Sequence, residues 1–107
     1  KEFNVIYAEN DNMARGACDA MDAAGITYGK TGDVKVIAFD ANKWALEKVL
    51  AGEFNLDIEC NPLHGPRLVS LIQSLEKGEK IEKNVYVEEE MFDAETITQA
   101  IVDARSY

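Results

Sequence analysis

Residues 34–51 constrain the fold most, because the hydrophobic period changes there in a single step at an acidic residue. Val34, Val36, Ile37, Ala38 and Phe39 form a short, almost continuous apolar run rich in β-branched side chains. Such a run is the pattern of a strand in a parallel sheet covered on both faces. The run ends at Asp40. Asn42 then offers an N-cap, Ala45, Leu46, Val49 and Leu50 recur on one helical stripe, and Gly52 supplies a stop. A strand that passes through a carboxylate directly into a helix is the arrangement with which open α/β sheets hold ligands at their carboxyl edge.

The same alternation continues on both sides. Residues 3–8 predict a buried strand, and Asn10 or Asp11 can cap a helix in which Met13, Ala14, Ala17, Met21 and Ala24 share a face up to Gly25. The small residues of that helix let it lie close against a sheet. Residues 28–33 are polar and glycine-rich, hence a loop. Residues 54–60 alternate strictly, with Phe54, Leu56, Ile58 and Cys60 on one side and Asn55, Asp57 and Glu59 on the other. That period predicts a strand near a sheet edge, buried on its apolar side and wet on its polar side. Asn61-Pro62 closes it. Pro66 opens a third helix with Leu68, Val69, Leu71, Ile72 and Leu75 on its apolar face, and Gly78 stops it. Residues 85–87 read as a short strand and residues 88–90 as a solvated acidic run. Asp93 is the expected cap of a last helix with Ile97, Ala100, Ile101 and Ala104 on one face. The fold class is therefore α/β, a mostly parallel sheet flanked by helices with right-handed crossovers.

At 107 residues the chain is one domain or less. Its 20 acids against 11 bases give a net charge of −9 and no basic run, which excludes a nucleic-acid partner from the expectation. No apolar stretch is long enough to span a membrane and no signal-peptide pattern appears. The chain opens on Lys-Glu-Phe without an initiator Met, so that absence carries nothing about compartment. Cys18 and Cys60 show no spacing that demands a bridge or a metal, and free thiols are expected.

Three strands thus end in Asn10, Asp40 and Cys60-Asn61, and a parallel sheet sets such ends side by side. Asn10 offers a donor and an acceptor, and Asp40 only acceptors. These groups suit the adjacent hydroxyls of a neutral polyol, with charge-assisted bonds worth about 1.5–3 kcal/mol each. They serve equally as helix caps and turn residues, and the spacing alone leaves both readings open. Trp44, beside this edge, can stack on a sugar or simply pack. His64 lies in a loop with no ligand spacing, which favours a hinge or surface role. Asp11 and Asp40 do not establish two carboxyls facing each other across a glycosidic bond, and no nucleophile–base pair is visible.

Asn10-Asp11-Asn12-Met13-Ala14-Arg15-Gly16-Ala17, Val36-Ile37-Ala38-Phe39-Asp40, Ala45-Leu46, Ala51-Gly52-Glu53, Asn61-Pro62 and Lys77-Gly78-Glu79-Lys80 follow one another in unbroken order. Together they resemble the carboxyl-terminal portion of the ribose/galactose-type periplasmic sugar-binding proteins, the solute receptors of ABC importers. The resemblance implies a partial type I periplasmic-binding-protein-like lobe. It also implies sugar contacts from Asn10, Asp40 and Cys60. Cys60 stands where the ribose and galactose receptors have Gln or Asn, and a thiol is a poor partner, so Asn61 is the expected substitute. Ala38 stands where the family has Gly.

The resemblance further implies that residues 1–61 belong to the second lobe. Residues 62–84 would then form a hinge crossing and a helix of the other lobe, and residues 85–107 a return strand and the carboxyl-terminal helix. The implied partners are a saccharide ligand and the membrane subunits of an ABC transporter, at a periplasmic or extracellular membrane-associated location. No cofactor, metal or catalytic residue is implied. With the other lobe missing, Leu68, Leu71, Ile72 and Leu75 are expected to bury themselves against another copy of the chain or against the remaining sheet. The rival expectations are the effector-binding domain of a sugar-responsive transcription repressor and a small stand-alone α/β enzyme.

Overall fold

The computed structural model describes residues 2–107. The polypeptide runs β1 (Val5–Tyr7), α1 (Asp11–Ala24), β2 (Lys35–Asp40), α2 (Lys43–Leu50), β3 (Leu56–Glu59), α3 (Gly65–Glu76), β4 (Met91–Asp93) and α4 (Gln99–Ala104). The sheet order is β1-β2-β3-β4, with the first three strands parallel and β4 antiparallel to β3.

The local signals act as their chemistry requires. The Asn10 side chain caps α1 by accepting from the Met13 N–H at 2.8 Å. Gly25, at φ 69°, ends that helix in the left-handed conformation that glycine adopts without a Cβ penalty. Asn42 precedes α2 but makes no side-chain cap, because its amide is committed to Asp11. The last helix is capped by Thr98 and not by Asp93. Asp93 ends β4, and its carboxylate takes the Glu95 and Thr96 N–H groups and the Thr96 hydroxyl. Residues 85–87, expected as a strand, form no ladder. The fourth strand lies four residues further on, so β3 is internal rather than an edge.

All three packed helices lie on one face of the sheet. Two right-handed crossovers that step in the same direction across a sheet put their helices on the same side. Thus α1 (Ala14, Cys18, Met21), α2 (Ala45, Leu46, Val49) and Val102 of α4 share one core with Val36, Ala38 and Phe92. Registered on that face of β3 are Asp57 and Glu59, both buried, which reverses the sidedness expected from the alternation. The other face carries Val5, Tyr7, Ile37, Phe39, Leu56, Ile58 and Met91 with no helix over them. Tyr7 and Phe39 meet edge-on there at 5.2 Å, and Tyr7 and Met91 remain largely exposed.

Helix α3 stands apart, with no buried residue, and Leu68, Val69, Ile72 and Leu75 all lie exposed. The radius of gyration is 17.6 Å, against the roughly 13 Å of a compact chain of this length.

Candidate functional site

The carboxyl ends of β2 and β3 enclose a recess of about 340 Å³, lined by Asp40, Asn42, Cys60, Asn61, Pro62, His64 and Tyr107. Its size is that of a small-ligand pocket. The recess exists because β2 and β3 remain paired to their last residues, Asp40 opposite Glu59, with the Cys60 N–H still reaching the Asp40 carbonyl at 3.4 Å. Both chains then turn away, β2 into α2 and β3 into Asn61-Pro62.

The backbone at the rim is strained. Asp40 has φ 112° and Ala41 φ 56°. Non-glycine residues in such conformations cost on the order of 1–3 kcal/mol each, and they persist where neighbours over-determine them. Here the neighbours are two buried carboxylates. Asp57 Oδ1 accepts from the Ala41 N–H at 3.3 Å. Asp11 Oδ2 accepts from both the backbone N–H and the side-chain amide of Asn42, each at 2.9 Å. The turn is tied to β3 on one side and to the start of α1 on the other.

Asp40 itself takes no side-chain hydrogen bond among the described residues and is only half-buried, so its carboxylate faces the recess with its acceptor capacity unused. Cys60 is an exposed free thiol, and Cys18 is likewise free but buried. Asn61 accepts the Leu63 N–H at 2.8 Å in a local turn, and its backbone N–H goes to Glu89, which leaves its side-chain NH₂ available. Asn10 stands on the same carboxyl edge but outside the lining of the recess. Its Oδ1 is engaged as the α1 cap, and its Nδ2 is the group left to a ligand. The structure therefore gathers Asp40, Cys60 and Asn61 and sets Asn10 one strand away. Trp44 packs: it meets Phe54 edge-on at 6.4 Å and carries the Arg15 guanidinium at 5.0 Å over its ring.

Tyr107 is the rim residue that sequence reasoning missed, and no pattern in the sequence marks it. It is placed by a buried cluster. Arg105 donates to Glu59 Oε1 at 2.7 Å and to the Tyr107 hydroxyl, which in turn donates to Glu59. Glu59 Oε2 accepts the Glu90 N–H at 3.1 Å. Burial alone would push the Glu59 carboxyl up, but the Tyr107 hydroxyl and Arg105 guanidinium outweigh it and hold the group below its ordinary range. Burial beside that carboxylate pushes the Tyr107 phenol up to about 12. The Tyr107 carbonyl also accepts from the Lys43 N–H at 2.7 Å, closing the segment over the start of α2.

A partial sheet of this topology, with a small polar recess at its carboxyl edge, defines part of a type I periplasmic-binding-protein lobe. No family model matches the chain. Among curated proteins it is 35% identical over 96 residues to the fructose import binding protein FruE of Bifidobacterium longum, covering 90% of this chain and 28% of that protein. Its backbone superposes, at a TM-score of 0.78 and 37% identity, on a Mycobacterium smegmatis protein crystallised with β-D-fucofuranose; the match covers 96% of this chain and 32% of that one. The arabinose-transporter binding protein of Shewanella sp. ANA-3 gives 0.83 at 25% identity, over 98% and 34% of the two chains. The chain is a homologue, over part of their length, of the ribose/galactose-type sugar-binding proteins of ABC importers. It spans under a third of the length of the curated relatives it matches.

Proposed function

We propose that this chain forms one wall of the sugar site in the extracytoplasmic solute-binding component of a sugar ABC importer, and that the site binds a mono- or small saccharide without covalent chemistry. The observation that carries this reading is the unpartnered Asp40 carboxylate, held on a strained turn at the recess it shares with Cys60 and Asn61. A carboxylate with free lone pairs accepts from two adjacent hydroxyls, and the free amide hydrogens of Asn61 and Asn10 donate to ring or hydroxyl oxygens. The likeness to fructose, ribose and arabinose binding proteins supports the ligand class. The protein acts by recognition rather than turnover, in the periplasm or on the outer side of the cytoplasmic membrane.

In this reading residues 1–61 and 85–107 belong to one lobe, and α3 crosses a hinge to the other. The apolar side chains along α3 and the uncovered sheet face support that division, since both are surfaces of the kind that further chain would cover. Closure of two lobes follows from tighter sugar binding by the closed form. By itself the chain supplies one wall of the cleft and self-associates through Leu68, Leu71, Ile72 and Leu75. Isothermal titration of aldoses and ketoses into the receptor that contains this segment tests the reading. Saturable binding of one sugar is the expected result, with much weaker binding by the isolated chain. No binding by the receptor, or tight binding by the isolated chain, overturns it.

A further inference from the structure

Beneath the recess lies a pair of carboxyls that sugar contact does not use. Asp11 and Asp57 are both fully inaccessible to solvent, one at the start of α1 and one in the middle of β3. Each spends one oxygen on the turn at residues 40–42: Asp57 Oδ1 on the Ala41 N–H, Asp11 Oδ2 on Asn42. The remaining oxygens, Asp11 Oδ1 and Asp57 Oδ2, are buried with no donor among the described residues. The two carboxyls hold the adjacent N–H groups of Ala41 and Asn42, which sets them close together, and two buried anions there with no further donor repel each other unless one takes up a proton.

We propose that Asp11 and Asp57 share one proton and act as a positioning pair that holds the turn at residues 40–42 with its positive φ at Asp40 and Ala41, thereby aiming the Asp40 carboxylate into the recess. The proton resides on Asp57. Burial pushes the Asp11 carboxyl up as well, but its two donors from Asn42 and its place in the first turn of α1, where the helix dipole favours an anion, make it the member of the pair that keeps its charge. Asp57 receives only the longer bond from Ala41, and its Oδ2–H donates to Asp11 Oδ1. Burial first, and then the Asp11 charge, push the Asp57 carboxyl up to about 8. Asp40, at the end of β2, is the other charge that acts on the pair; the elements that carry the pair and the turn also bear Arg15 on α1, Lys43 on α2 and Glu59 on β3, the last ion-paired to Arg105. Asp40 opposes ionisation of the pair. Arg15 is engaged over Trp44 and Lys43 is exposed, so neither offsets that repulsion.

The consequence is a binding site that loosens at alkaline pH. When Asp57 ionises, two buried anions repel each other and pull the Ala41 and Asn42 bonds out of line.

The proposal rests on the sugar-site reading for its functional readout but is tested on two levels. Asp57→Asn keeps the acceptor for Ala41 and supplies a permanent donor to Asp11. In the receptor containing this segment, sugar affinity should fall at least about tenfold as pH rises from about 7 to about 9, while Asp57→Asn binds the same at both. Hydrogen-exchange protection of the Ala41 and Asn42 amides should fall over the same interval in the natural protein only. The ¹³C carboxyl signal of Asp57 should titrate near the middle of it.

A carboxyl signal that titrates at an ordinary acidic pH overturns the proposal. So do affinity and amide protection that change with pH identically in both proteins. If no sugar binds at any pH, the sugar-site reading fails, and the amides and the carboxyl signal alone decide the pair. If the carboxyl titrates as expected but neither amide protection nor affinity follows, the pair is not a positioning device and the sugar-site reading stands.

Discussion

Replacing Arg105 by methionine removes a charge while keeping a stem of similar bulk against Phe92 and Tyr107, on whose rings the guanidinium lies at 4.9 and 4.8 Å. It leaves the Glu59 carboxylate, only 8% exposed, without its cation. Breaking a buried ion pair from one side costs about 3–5 kcal/mol. Glu59 has one escape, which is to take up a proton. From an ordinary value of 4.5, that costs about 1.4 kcal/mol per pH unit above it, roughly 3.4 kcal/mol at pH 7 but under about 1 kcal/mol at pH 5. The penalty is therefore capped and pH-dependent.

In the natural chain the depressed Glu59 carboxyl contributes stability that is present above the unfolded value and lost as pH falls through the folded one. In Arg105→Met the sign reverses, and stability falls as pH rises. Thermal unfolding followed by circular dichroism should show a loss of at least about 10 °C at pH 7 that shrinks to a few degrees at pH 5. Glu59→Gln combined with Arg105→Met should cost about 1–3 kcal/mol less than the two singles added together. A loss independent of pH, or strictly additive singles, refutes the assignment of this cluster as a buried, mutually dependent ion pair.

Two further outcomes follow from exposure. An aromatic disulfide reagent at neutral pH should label one thiol, Cys60, per folded chain. Cys18, buried and with its thiol pushed up to about 11, should react only on unfolding, so two rapid equivalents would contradict the packing of α1. Sedimentation velocity of the isolated chain should show association that Leu68→Glu with Ile72→Glu abolishes without loss of helical signal. A monomeric natural chain at the same concentration would contradict a sticky α3 face.

The helices and the acidic strand end were legible because their signals are local. The Asn10 cap, the Gly25 stop and the change of period at Asp40 each need only a few neighbouring residues. The sidedness of β3 was not legible. Its alternation shows two faces but not which one the helices cover, and here the covered face holds Asp57 and Glu59 because each finds a partner across the fold. The apolar face, Leu56 and Ile58, lies opposite, where none of the described helices packs. The continuous run in β2 likewise reads as burial on both sides, whereas the helices cover only the face of Val36 and Ala38. Strand β4 escaped because it is three residues long with one buried side chain, Phe92, directly after an acidic run. Tyr107 depends on a contact 48 residues away in sequence, and Asp11 and Asp57 on contacts 31 and 16 residues away, and no spacing announces them.

The most direct test is sugar titration into the receptor carrying Asp40→Gly. Glycine tolerates φ 112° better than aspartate, so the fold is not harmed by the change, while both acceptor oxygens are lost. Two charge-assisted bonds at about 1.5 kcal/mol or more each make the expected loss of affinity at least about a hundredfold, with an unfolding temperature equal to or above that of the natural protein. Undiminished sugar affinity in that variant would contradict the account, because Asp40 would then be no more than a turn residue.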